Sequence, residues 1–329
     1  MYPVSYDASA LFASVLHLAI YARKCYDRTV RNWIDQFRQP YIVTRVSPTG
    51  NNDQTHAHQQ TGQPRLVLGS ASPRRHELLA TLGATFTVMT TDAEEAETDV
   101  PSEVLGALPT AEMPLRYHPT LLAWRKAHAV ATHALDAVVL GADTVVVIDG
   151  EVLNKPRDDA EAHLMLRRLS GRTHRVYTGL CVAGAFASAT PPESDLTTLY
   201  EALPEPIWLP LHHEAPHAVL ATAARRPFWL DIEMSEVVFA PLTEAQITAY
   251  VATGEPRDKA GAYGLQGMGG QLIQAVYGSY TAVVGFPLAA VVRLLRGAGV
   301  TGLADATASY YAWLAHQQKE PLPWPPTLP

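Results

Sequence analysis

The sequence predicts an α/β protein. Two observations point there: short β-branched apolar runs (Leu66 to Leu68, Ala137 to Gly141, Val145 to Ile148) alternate with helical segments, and cap or turn residues mark the joints between them. A third observation locates the chemistry, in R-L-V-L-G-S-A-S-P-R-R-H-E-L-L-A-T-L-G at 65 to 83. Leu66 to Leu68 read as a strand, Gly69 and Ser70 turn the chain, and a helix follows with Ser72 as N-cap, Pro73 in its first turn and Gly83 as its stop. Arg74 and Arg75 stand in that first turn, where the positive end of the helix disfavours cations. An anion resolves the conflict. The hydroxyls of Ser70 and Ser72, free backbone N–H groups and two guanidiniums after a strand make a place for a chain of phosphates.

At 329 residues, with 47% hydrophobic residues, the chain has ample material for a real core. A formal net charge of −7, from 25 Lys and Arg against 32 Asp and Glu, excludes a broad nucleic-acid footprint. Two cysteines, Cys25 and Cys181, suit a reducing compartment and lack metal-ligand spacing. Residues 1 to 64 read as an extension: an apolar run at 8 to 22, too short for a membrane span and lacking the basic lead of a secretory signal, then a polar linker from Ser47 to Pro64. Asp7, Asp27 and Asp35 argue against an organellar leader, so a cytoplasmic protein is expected, with no membrane partner.

Beyond Gly83, F-T-V-M alternates as a strand and enters the acidic stretch that contains Glu95. Residues 121 to 135 read as a helix with Lys126 on its polar side. The next strand carries Asp143 between apolar runs, a costly place for a carboxylate unless a metal, a cation or catalysis requires it. The D-G turn at 149 and 150 returns the chain to Lys155, which Pro156 holds extended toward a site mouth. Asp158 or Asp159 caps a helix that Gly171 ends, and H-R-V-Y-T-G-L-C-V makes a central strand with Cys181 inside.

Between 185 and 230 the composition of Ala, Pro and acids reads as an inserted surface loop. His213, Glu214 and His217 in it satisfy H-E-x-x-H, but Pro216 breaks the helix that a zinc site needs. Thr243 and Gln246 make a capping box. The five glycines at 261, 264, 267, 269 and 270 allow close approach by a ligand, 271 to 285 read as a strand pair, and Pro287 opens a helix closed by Gly297. Residues 301 to 329 read as a frayed tail.

Six blocks in order, G-S-A-S-P-R-R-H-E-L-L, G-A-D-T-V-V-V, N-K-P-R-D, L-S-G-R-T-H-R-V-Y-T-G, D-K-A-G-A-Y-G-L-Q-G and G-S-Y-T-A-V-V-G-F-P-L, closely resemble the Maf family of nucleotide pyrophosphatases, also described as septum-formation inhibitors. The resemblance covers roughly 65 to 184 and 231 to 297. It implies a mixed twisted sheet in two lobes with a central cleft, like inosine triphosphatase, within a domain at 65 to 300. It implies hydrolysis of nucleoside triphosphates, on the branch that acts on dTTP and UTP, with Mg²⁺ or Mn²⁺ as cofactor, and it allows a homodimer. Carried over residue by residue, Glu95 and Asp143 become the metal ligands and catalytic acids, with Asp143 favoured as base. Lys126 faces the phosphates beside Arg74, Arg75 and Lys155, and Gln266 joins the site. Whether Gln266 meets the base, a phosphate or metal-bound water stays open at this level. Two rivals are a nucleotide-binding regulator of cell division with little turnover and a carboxylate-pair hydrolase of another substrate such as a glycoside; the cations around the acids favour phosphate over the latter.

Overall fold

A computed structural model describes residues 43–45, 64–90, 99–185, 203–210 and 225–317. The apolar run at 8 to 22, the acid Glu95, and the H-E-x-x-H segment of His213, Glu214 and His217 lie outside the described residues. Among the described residues no helix is long and apolar enough to cross a membrane.

The strands are β1 (Val43–Arg45), β2 (Arg65–Leu68), β3 (Thr87–Thr90), β4 (Ala137–Ile148), β5 (Glu151–Leu153), β6 (Thr173–Ala183), β7 (Ile207–Pro210), β8 (Arg225–Phe239) and β9 (Ile273–Tyr277). They form one mixed sheet in the order β1-β3-β2-β4-β6-β8-β7, with β5 added to β4 and β9 to β8. Pairing is parallel from β1 to β4 and antiparallel beyond. β1 falls within the span read as an extension and adds an edge strand to β3.

Side chains alternate across this sheet, so each strand feeds two layers. Leu66, Leu68, Leu140 and Leu180 bury one face under helices α1 (Pro73–Thr81) and α7 (Leu288–Gly297). Val67, Val139 and Cys181 bury the other under α3 (Pro119–Ala131), with the short α2 (Ser102–Ala107) beside it. The long strands then run on into a second core, where Val146, Ile148 and Val176 pack beneath α4 (Asp159–Leu169) and α5 (Glu244–Ala252). Two lobes therefore share β4, β6 and β8. Asp143 lies on β4 between Leu140 of one core and Val146 of the other.

Local expectations hold at several joints. Asp158 caps α4 by accepting from the Glu161 N–H, and Thr243 with Gln246 forms both bonds of the capping box on α5. Three expectations do not hold. The stretch 271 to 285 is not a strand pair: β9 ends at Tyr277, and Ser279 caps a short helix α6 (Tyr280–Val284) by accepting from the Ala282 N–H. A cap residue outweighed the strand propensity of T-A-V-V. The span 185 to 230 is not all loop, because β7 and the first third of β8 belong to the sheet. Arg226 is fully buried there and donates to the carbonyls of Gly184, Ala131, Ala134 and Ala137, so a residue within the span read as a surface loop satisfies the open carbonyls behind α3.

The third correction concerns 301 to 329, read as frayed. Helix α8 (Ala306–Gln317) docks on α1, with Ser309 Oγ donating to the Thr81 carbonyl at 3.0 Å and Trp313 only 1% exposed in the core beneath α7. The apolar residues there are spread rather than striped, which hid the helix from a periodicity argument. Trp313→Ala should cost about 3 kcal/mol, as expected for truncating a buried large aromatic. Urea unfolding of the variant measures it, and a loss under about 0.5 kcal/mol, the range of a surface substitution, would mean that α8 is not docked.

Candidate active site

A cleft of about 1200 Å³ opens where the lobes meet. Its floor is β4 at Asp143 and Thr144, and its walls are the β2–α1 turn, the β5–α4 connection and the loop after Tyr263. Ser70, Ser72, Arg74, Arg75, Lys126, Asp143, Lys155 and Gln266 all line it. The structure thus brings together every sequence-derived site residue that lies among those described.

The centre is an ion pair. Lys126 Nζ lies 2.5 Å from Asp143 Oδ1, with the two side chains 11% and 17% exposed. The contact depends on how closely α3 lies on the sheet. A Cβ on Gly179, the cross-strand partner of Asp143, would meet the Thr120 nitrogen at 2.1 Å, and one on Gly141 would meet the Ala123 carbonyl oxygen at 2.4 Å. Two missing side chains let the helix backbone sit directly on β4 and β6, and Lys126 thereby reaches the carboxylate. The pair sets a cation directly against the carboxylate in a partly desolvated place. Asp143 Oδ2 makes no hydrogen bond among the described residues.

The two arginines of the S-P-R-R run differ. Arg75 is committed to protein: its guanidinium donates to the carbonyls of Ala142 (2.8 Å) and Gly285 (2.9 Å) and to the hydroxyls of Ser70 (3.1 Å) and Thr144 (3.3 Å). It ties the β2–α1 turn to β4 and to the end of α6. Arg74 makes no hydrogen bond among the described residues and stays half-buried at the cleft surface. Ser72 occupies the N-cap position without bonding the helix through its side chain, leaving its hydroxyl to the cleft. Lys155 is exposed on the opposite wall.

Gln266 lines the cleft, and its Oε1 is buried without a hydrogen-bond partner among the described residues. Three of the glycines around it are also required by the protein itself. A Cβ on Gly267 would meet Glu255 Oε2 at 2.4 Å, one on Gly264 would meet Lys259 Cε at 2.6 Å, and one on Gly269 would meet the Tyr250 hydroxyl at 2.4 Å. The close approach is internal. Below this loop Tyr263 bonds His174 (2.7 Å); burial lowers His174 to about 4 and raises the Tyr263 phenol, so both stay neutral.

Sequence reasoning missed Gly179, Thr144, Glu255 and Lys259. The last is only 15% exposed at its side chain and donates to Asp258 and to the Glu255 carbonyl. Thr144 bonds both Arg75 and Thr178, and its only signal was adjacency to Asp143.

Gly179→Ala should cost about 1–3 kcal/mol, because the added methyl meets helix backbone that cannot swing aside. Gly106→Ala is the control: a Cβ there meets nothing within 4 Å, and a neutral effect or a gain of up to about 1 kcal/mol is expected on an exposed helix. Equal unfolding midpoints for the two variants would contradict the close packing of α3.

Comparison with known proteins gives one consistent answer. The sequence profile described as Maf-like protein matches residues 65–199 and 212–298. A dTTP/UTP pyrophosphatase of Anaeromyxobacter dehalogenans is 44% identical over 236 residues, covering 72% of this chain and 95% of that protein. One from Moorella thermoacetica is 42% identical, covering 72% and 96%, and one from Deinococcus radiodurans is 38% identical over 239 residues, covering 72% and 95%. With the cleft, the S-A-S-P-R-R turn and the Lys126–Asp143 pair in the matched span, the chain belongs to the Maf-like protein family.

Proposed function

We propose that the chain hydrolyses nucleoside triphosphates, with dTTP and UTP preferred, to the monophosphate and pyrophosphate. The observation that carries the reading is the meeting of Asp143, pinned by Lys126, with the cationic β2–α1 turn in one cleft. Relatives at 38–44% identity that bear the name dTTP/UTP pyrophosphatase support it.

Arg74 and Lys155, on opposite walls, hold the phosphate chain between them, and the free hydroxyl of Ser72 adds a donor. Arg75 holds the turn in place and adds positive charge beneath it. Asp143 accepts a proton from water as the water oxygen bonds to phosphorus; the bridging P–O bond then breaks and pyrophosphate departs. Lys126 holds the carboxylate oriented for that proton transfer. Gln266, on the cleft wall, reads the base, since its amide matches the O4 and N3–H edge of uracil or thymine.

The donor set also fits a divalent cation. Asp143 Oδ2 is a hard oxygen left open on the cleft, and Mg²⁺ characteristically combines one or two carboxylates with substrate phosphates and water. Asp143, together with Glu95, would hold it. When bound, Mg²⁺ or Mn²⁺ neutralises phosphate charge and acidifies water.

A panel of nucleotides with Mg²⁺ or Mn²⁺, read by pyrophosphate release, tests the proposal. Wild-type kcat/KM for dTTP and UTP should exceed that for ATP and GTP at least about tenfold. Asp143→Asn, which keeps the shape and removes the base, should lower turnover at least about a hundredfold with folding intact. No pyrophosphate release from any nucleotide would overturn the activity, equal rates on all four would overturn the base preference, and a folded Asp143→Asn variant near wild-type rate would remove Asp143 from the chemistry.

A further inference from the structure

Glu255 sits at the start of a 3-10 turn, Glu255–Asp258, between α5 and the glycine-rich loop, and no role falls to it in the chemistry above. Its carboxylate nevertheless organises that loop. Oε2 accepts from the Met268 N–H (2.9 Å), and Oε1 accepts from the Gly269 N–H (3.3 Å) and from the Tyr250 hydroxyl (3.0 Å). The Tyr250 hydroxyl in turn accepts from the Gly264 N–H at 3.1 Å. The loop from Gly264 to Gly269 is thus closed around one carboxylate, directly at its far end and through a phenol at its near end. Gln266 lies midway between the two ties.

The glycines fit the same device. None of Gly264, Gly267 and Gly269 has a positive φ, so conformational freedom is not what they supply. They are sites where a Cβ would strike Glu255, Lys259 or Tyr250. The Gly264, Met268 and Gly269 N–H groups, turned inward to Tyr250 and Glu255, are not available to a phosphate. The loop can present a side chain in a fixed place, and Gln266 is the side chain at its middle that lines the cleft.

We propose that Glu255 is a positioning residue for base selectivity: it fixes the glycine loop so that the Gln266 amide stands where the pyrimidine edge arrives. The proposal rests on the pyrophosphatase reading and adds the residue that sets its specificity. A carboxylate suits the task because it accepts from three donors and offers none. Glutamine at 255 would retain one acceptor oxygen and turn an NH₂ toward an N–H or O–H, leaving donors unpaired and the loop unlatched.

The test is steady-state kinetics of the full chain on UTP and GTP, with inorganic tripolyphosphate as a competitive inhibitor that has no base. Glu255→Gln should lower the UTP to GTP ratio of kcat/KM at least about tenfold, mainly through the KM for UTP, and tripolyphosphate inhibition should stay within about twofold. Gln266→Ala should lower the ratio similarly, and the double variant should be no worse than Gln266→Ala alone, because both act on one contact. An unchanged ratio in a folded Glu255→Gln variant would overturn the proposal, as would equal losses on UTP, GTP and tripolyphosphate, or additive losses in the double variant. Should Glu255→Gln fail to fold, Tyr250→Phe decides, since it cuts the near tie only: a ratio lowered at least about threefold supports the proposal, and an unchanged ratio overturns it. Absence of pyrophosphate release by the wild type would instead defeat the underlying reading before any variant is compared.

Discussion

The contact between α3 and the centre of the sheet is the constraint on which the rest of the site depends. Gly141 and Gly179 remove the side chains that would hold the helix off, so its backbone rests on β4 and β6 and Lys126 is delivered to Asp143. Everything else in the cleft is arranged around that carboxylate. Arg75 ties the β2–α1 turn to Ala142, the residue before Asp143. The shared strands β4, β6 and β8 place the second lobe, with Lys155 and Gln266, across from it. Loss of the counter-charge would leave a desolvated carboxylate uncompensated, which is costly in a way that loss of an exposed pair is not.

The polar groups of the cleft divide into those already satisfied by protein and those left open. Arg75, Lys259 and Glu255 are engaged with protein groups, and they hold turns and loops in place. Arg74, the Ser72 hydroxyl and Asp143 Oδ2 are open among the described residues, and the Gln266 amide lines the same cleft. A cation, a hydroxyl and a carboxylate oxygen left open, with an amide on the same cleft wall, match the successive demands of a phosphate chain, an attacking water and a base edge. Fixing the framework with separate residues leaves these groups oriented before a ligand arrives, which is the condition for electrostatic stabilisation of a transition state.

Much of this was legible in the sequence because strands, caps and the anomalous arginines of the first helix are local signals. The strand-turn-helix at 65 to 83, the D-G turn and the capping box at Thr243 needed no knowledge of distant residues. Asp143 was legible because an acid inside apolar strands is costly wherever it packs. What could not be read was long-range. Gly179 looks like any strand glycine until Thr120 lies against it, and Arg226 looks solvated until four carbonyls converge on it. The helix at 306 to 317 lacks an apolar stripe, and the strand propensity of 281 to 284 yielded to a serine cap. The glycine loop was recognised but not the Glu255 carboxylate that it encloses, which lies at a distance in sequence and carries no local signal.

The central claim is that Asp143 is the reacting centre and that the nucleotide lies with its phosphates toward Arg74 and its base toward Gln266. A crystal structure of the chain with Mg²⁺ and the non-hydrolysable α,β-imido analogue of UTP tests it most directly. The account predicts the bridging α,β nitrogen beside Asp143, within reach of one intervening water, and the uracil edge on the Gln266 amide. A nucleotide bound in the opposite sense, with uracil at the S-A-S-P-R-R turn, or with the α,β bridge remote from Asp143, would contradict it.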